Sequence, residues 1–148
     1  MPGIIPSYLY TIMASIIVGS IVVATCAYSA VAVKAEAEAQ QLLNIEDYVV
    51  AESIFLQRTT RGNVTSRMLL DVPPLIGNHR YWIQIQNDTS HVWAKAGLGV
   101  SVVPSEKGTS IPCKVLASGF CVSGSGPAFL EYRTSENGDF LTLIGGNS

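Results

Sequence analysis

Residues 1–33, MPGIIPSYLYTIMASIIVGSIVVATCAYSAVAV, contain no charged side chain, and the first charge in the chain is Lys34. All nine Lys and Arg and all eleven Asp and Glu fall in the remaining 115 of the 148 residues. From Ser7 to Val33 the run is 27 residues. As a helix it would be about 40 Å long at about 1.5 Å per residue, longer than the roughly 20 residues that cross a hydrocarbon core. A secretory signal has an apolar segment of about 7 to 15 residues behind positive charge. Here the run is too long, and no Lys or Arg precedes it. Because the run is apolar all round, a helix built from it must be buried in lipid or among other helices.

Small side chains suggest what such a helix packs against. Ser15 and Gly19 are four residues apart, as are Ser20 and Ala24. This spacing lets helix backbones approach closely, so these four residues are the candidate helix-packing positions. Pro6 lies near the start, where a helix tolerates proline. Beyond Lys34 the residues KAEAEAQQLLNIEDYVVAESIFLQR are rich in helix formers, with no Gly or Pro before Gly62. Leu42, Ile45, Val49, Glu52 and Leu56 recur at three-or-four spacing, with Leu43, Val50 and Ile54 beside them. This predicts one helix from Ser7 to Gln57: an apolar half over 4–33 and an amphipathic half over 34–57 that covers a folded domain with one face.

After Gly62 the pattern changes to short β-branched or alternating runs divided by turn residues. The predicted strands are 66–72, 80–86, 91–94, 98–103, 114–116, 120–123, 129–133 and 140–144. Asn137-Gly138 predicts a hairpin between the last two. The expected fold class is therefore α+β: a long N-terminal hydrophobic α-helix over 1–61, then an antiparallel β-sandwich-like domain over 62–148. Trp82 and Trp93 are expected as core or edge aromatics.

Three cysteines are present. Cys26 reads as a packing residue of the apolar run. Cys113 and Cys121, on two short strands taken as adjacent, are expected within disulfide reach. Asn63-Val-Thr65 and Asn87-Asp-Thr89 match the N-glycosylation acceptor pattern, which makes Asn63 and Asn87 candidates and favours an exterior β domain. Against this, Lys34 lies on the domain side of the run and no basic residue marks its other end. A basic leader upstream would resolve the conflict.

Little in the chain suggests chemistry. A net charge of -2 argues against a polycation that grips nucleic-acid backbone. Arg58, Arg61, Arg67 and Arg80 do not interleave with aromatics as a single-strand binder requires. There is no GxxxxGK[ST], HExxH, CxxC or GxSxG motif. His79, His91, Cys113 and Cys121 match no common zinc spacing. Glu46 and Asp47 are adjacent and are expected to be solvated or paired with a neighbouring subunit. No catalytic residue, cofactor or metal is assigned, and no enzymatic activity is expected.

The layout of a charge-free helix, an amphipathic continuation and a β domain resembles archaeal type IV pilins and archaellins. The run LLDVPPLIGNHRYWIQI, residues 69–85, is similar to a strand, Pro, Ile-Gly, Tyr-strand pattern common in pilin-like β domains. Bacterial type IV pilins usually carry a glutamate at the fifth mature position; its absence here agrees better with the archaeal branch. The resemblance implies a structural subunit of an extracellular helical filament, serving adhesion or surface interaction. It also implies insertion in the membrane before assembly, and homo-oligomerisation through the N-terminal helices. A prepilin-type peptidase and an assembly motor and platform would be its partners. Leader cleavage would fall after Gly3 or upstream of Met1, or, since MPG lacks the family's basic residues, the chain is an uncleaved anchor. The alternative within this layout is a membrane-anchored minor archaellum or envelope-binding module that does not polymerise.

Overall fold

The computed structural model describes residues 4–62, 64–88, 91–102, 108–136 and 138–145, with the side chains of residues 4–6 left aside. One helix, α1 (Ile4–Thr59), is followed by seven strands: β1 (Thr65–Leu70), β2 (Tyr81–Asn87), β3 (Val92–Leu98), β4 (Thr109–Ile111), β5 (Leu116–Val122), β6 (Ala128–Ser135) and β7 (Gly138–Ile144). The chain divides into two compact units, Met1–Ala37 and Glu38–Ser148. The fold class is α+β, as expected, and α1 extends the predicted helix by a few residues at each end. No Gly or Pro interrupts its second half. It ends where Thr60 N–H donates to the Leu56 carbonyl at 3.0 Å and Gly62 turns to φ +79°, a conformation glycine adopts without a Cβ penalty.

In the unit Glu38–Ser148, α1 buries one stripe: Ile45, Val49, Ser53 and Leu56, with Leu42 partly covered. Their spacing places them on one face. Glu52, expected within this stripe, is half-buried, and Ser53 takes its place, donating to the Val49 carbonyl at 2.6 Å. Val50 and Ile54 flank the stripe, while Leu43 faces solvent.

The strands form one sheet in the order β1-β6-β7-β5-β2-β3-β4, antiparallel throughout except for the parallel β5/β7 pair. The expected sandwich is therefore realised as a single sheet with α1 in place of a second one. The strands turn one apolar face to the helix stripe, which covers it, while Trp82 of β2 is buried on the opposite face against Phe120. The helix-covered face carries Ile83 and Ile85 from β2, Val92 and Ala94 from β3, Leu130 and Tyr132 from β6, and Leu141 and Leu143 from β7, all in one core with Ile45, Val49 and Leu56. Burial of such side chains contributes roughly 1.5 to 3 kcal/mol each.

Strand boundaries depart from expectation in the middle of the sheet. The predicted strands 91–94 and 98–103 are replaced by one, β3, which runs through Ala94-Lys95-Ala96-Gly97. The predicted pair 114–116 and 120–123 is likewise one strand, β5. The three-residue edge strand β4 has no counterpart among the predicted strands. β6 and β7 pair back to Ser135↔Gly138, as a tight hairpin requires; Asn137 lies outside the described residues.

Gly119 is the reason β5 passes without a break through a segment that reads as a turn. It sits at φ +143° opposite Leu143 of β7. A Cβ there would meet Leu143 N at 2.6 Å and Leu143 Cβ at 2.7 Å. Gly138, at φ +125°, has open space around it. Gly119→Ala should therefore destabilise the folded unit by about 2 kcal/mol or more, and Gly138→Ala by about 1 kcal/mol from backbone strain alone. Thermal unfolding of the full chain in detergent, followed by circular dichroism, measures both. Equal losses would refute close β5/β7 approach as the constraint.

Candidate functional site

The functional candidate is the first unit's helix. It is long and apolar enough to cross a membrane, and none of its most apolar 18-residue window is buried by the rest of the chain. Ile16, Ile17, Val18, Ile21, Val22 and Val23 are all more than half exposed. A monomeric soluble protein rarely leaves an apolar surface of this extent bare. The helix suggests packing against other chains or membrane contact, and with it membrane insertion or secretion.

Its polar atoms are arranged for an apolar environment. Thr11, Ser15, Ser20, Thr25 and Ser29 each donate their hydroxyl to the carbonyl four residues earlier, at 2.7–3.0 Å. No hydroxyl proton in this set needs water or a partner helix.

The four packing candidates lie on this helix, all exposed. At about 100° per residue, Ser15 and Gly19 share one side, and Ser20 and Ala24 share another roughly 140° away. They therefore make two shallow sites rather than one seam, a geometry that admits more than one neighbouring helix. Gly19 has no atom of another residue within 4 Å of where its Cβ would be.

The cysteine expectation is corrected. Cys113 and Cys121 are free thiols, the first half-buried and the second buried. By sequence pattern the interval between them is two short strands around a turn. Instead β5 is extended from Leu116, which carries Cys121 roughly 16 Å along the strand; a disulfide needs Cα atoms within about 7 Å. Cys121 sits opposite Ile83, inside the core.

Glu46 also departs from expectation. It is 4% exposed, and its carboxylate accepts from Ala96 N–H at 2.9 Å and from Thr109 Oγ1 at 3.0 Å. The side chain thus ties α1 to β3 and to the short edge strand β4. Asp47 is exposed. Asn63 and Thr89 lie outside the described residues. Asn87 is exposed at the end of β2, and its amide, oriented to satisfy both groups, donates to the carbonyls of His91 (3.2 Å) and Asp88 (3.1 Å).

Trp82 is fully buried and stacks on Phe120 at 6.4 Å between ring centres. Trp93 is half-buried beside His91. Arg67 lies 4.0 Å over the Phe129 ring. The run 69–85 folds into the end of β1, a tight Ile76–His79 turn and β2. In that turn Ile76 and His79 exchange backbone hydrogen bonds at 3.0 and 2.9 Å. Gly77 sits there at φ +57° beneath the Glu38 carboxylate. Among the described residues, no group of three or more His, Cys, Asp or Glu gathers as metal ligands would.

The core holds several acidic protons tightly. Burial pushes the Cys121 thiol up from 9.0 to about 11, partly offset by a backbone hydrogen bond at Ile83. Burial, and then the charge of Cys121, raise Tyr81 from 10.0 to about 12. Burial, followed by the Asp139 carboxylate that its hydroxyl meets at 2.8 Å, raises Tyr132 to about 12. Burial also raises Cys113. Each group is favoured neutral in the fold, so its stabilisation is complete below the unfolded pKa and is lost as pH rises through the folded one.

Comparison of the chain with known protein families, with curated proteins and with solved structures gives no match. What the fold defines is a class by architecture: a long apolar N-terminal helix joined to a helix-covered β-sheet, a type IV pilin-like arrangement.

Thermal stability should hold to about pH 9 and fall steadily towards pH 12. In the double variant Cys113→Ala, Cys121→Ala the fall should begin about one unit higher, where the tyrosines take over. Maleimide added to denatured, unreduced protein should modify both thiols; protection of the pair would restore the bridge.

Proposed function

We propose that this chain is the structural subunit of an extracellular, archaeal type IV pilus-like filament that serves adhesion or surface contact. The observation that carries the proposal is the bare apolar helix on a separately compact, helix-covered sheet. In the bilayer that helix is solvated by lipid. Once extracted, it would face water along its whole length, which is strongly unfavourable. Packing it among copies of itself removes that cost. Burying even 1,500 Å² of apolar surface per subunit corresponds to about 37 kcal/mol before association costs. A head-to-tail contact that does not close into a ring propagates as an open helical polymer.

In this reading the helices form the filament axis and the sheet domains its outer wall. The subunit has a structural rather than a catalytic task. A prepilin-type peptidase, an assembly platform and a motor would process and extrude it. The two small-residue sites support the reading because a subunit inside a bundle needs close approach on more than one side.

Shearing cells and imaging the medium tests the proposal: filaments containing this chain are expected. Recovery only in the detergent-soluble membrane fraction would replace the filament with an anchored, non-polymerising envelope module. Gly19→Leu should cut sheared filaments about ten-fold or more by blocking helix approach. The circular dichroism melt of the sheet domain should not change, because the site is open within one chain. Undiminished filaments from this variant would rule out tight packing at Gly19.

A further inference from the structure

The unit Met1–Ala37 contains three aromatic side chains, Tyr8, Tyr10 and Tyr28, which are 69%, 73% and 79% exposed. Between the second and third lie the seventeen residues Thr11–Ala27, with neither aromatic nor charge. Along a helix, Tyr10 to Tyr28 spans about 27 Å and Tyr8 to Tyr28 about 30 Å. The hydrocarbon core of a bilayer is about 30 Å thick. Tyrosine favours the two edges of that core, where its ring stays in an apolar setting while its hydroxyl is hydrated.

A second observation points the same way. Every hydroxyl side chain within Thr11–Ala27 donates to its own helix, through Thr11, Ser15, Ser20 and Thr25. The bracketed stretch therefore enters hydrocarbon without a stranded donor. The full charge-free run is less well matched. Ser7–Val33 exceeds the hydrocarbon core by about 10 Å, and centring it there would place Tyr28 about 3 Å inside the edge of the core instead of at it.

We propose that, before assembly, the bilayer is seated between Tyr8/Tyr10 and Tyr28, leaving Ser29–Val33 in the headgroup layer. This rests on the membrane-inserted precursor of the proposed function and fixes its depth. Lys34 then lies about 9 Å beyond the Tyr28 anchor, among phosphate groups. Cys26 lies about 3 Å inside it.

The test uses the full chain in phosphatidylcholine vesicles with a minority of phosphatidylglycerol, and a polar maleimide on both sides. The reporters are Cys26 in the Cys113→Ala, Cys121→Ala background, and Val18→Cys, Ala30→Cys or Ala32→Cys with all three native cysteines replaced by Ala. Positions 30 and 32 should react about ten-fold or more faster than 18 and 26. Tyr28→Ala should slow position 30 towards the rate of 18 as the run sinks to Lys34, and Tyr28→Trp should keep it fast. If positions 30 and 32 are as protected as 18, the proposed depth is wrong though the chain is inserted. If Val18→Cys is also fast, the membrane-inserted precursor itself fails. An unchanged boundary in Tyr28→Ala would remove the tyrosine as the anchor.

Discussion

A helix that is apolar around its whole circumference cannot be satisfied in water by a chain that leaves it bare. The rest of this molecule is organised around that constraint. Between its tyrosines the charge-free stretch keeps its polar atoms to itself: backbone groups through the helix, and the hydroxyls of Thr11, Ser15, Ser20 and Thr25 through bonds to carbonyls four residues back. What remains is an uninterrupted apolar surface whose only outlets are lipid and other helices. The proposed passage from bilayer to filament exchanges one for the other. The same small residues that are unremarkable in lipid become the places where helices can approach.

The second unit solves the opposite problem. Its part of α1 has one apolar stripe, and its sheet turns an apolar face to that stripe, so the two close a core without a second sheet. The edge of that core is secured by a buried carboxylate. Glu46 reaches a backbone N–H on β3 and a hydroxyl on β4, and these compensate a group that would otherwise be costly to desolvate. The fold can therefore be complete while its first unit is still unsatisfied. The proposed function, a subunit held in a membrane before it joins a polymer, would require that separation.

The arrangement has a simple electrostatic economy. The first charge of the chain comes only after the apolar run has ended, and the acidic and basic residues are confined to the part that can meet water. Tyrosines, which tolerate both settings, stand at the ends of the interval between. The tyrosine interval matches the bilayer's thickness, and the first charge lies beyond it.

By itself the sequence determined the long helix, its division into an apolar and an amphipathic half, the helix-to-strand change near Gly62 and most of the strands. These follow from local periodicity and from charge, which a linear reading detects directly. Only the tertiary structure decided the rest. Residues with weak strand preference, Lys95, Ala96 and Gly97, hide the continuity of β3. Ser118-Gly119 looked like a turn because the close passage of Leu143, which makes glycine necessary there, is remote in sequence. A turn there would bring Cys113 and Cys121 together, whereas the extended β5 holds them apart as free thiols. The burial of Glu46 was equally hidden, since its partners come from 50 and 63 residues away. Long-range pairing decides which polar groups find shelter and which glycines must lack a side chain, and no window of local sequence carries that information.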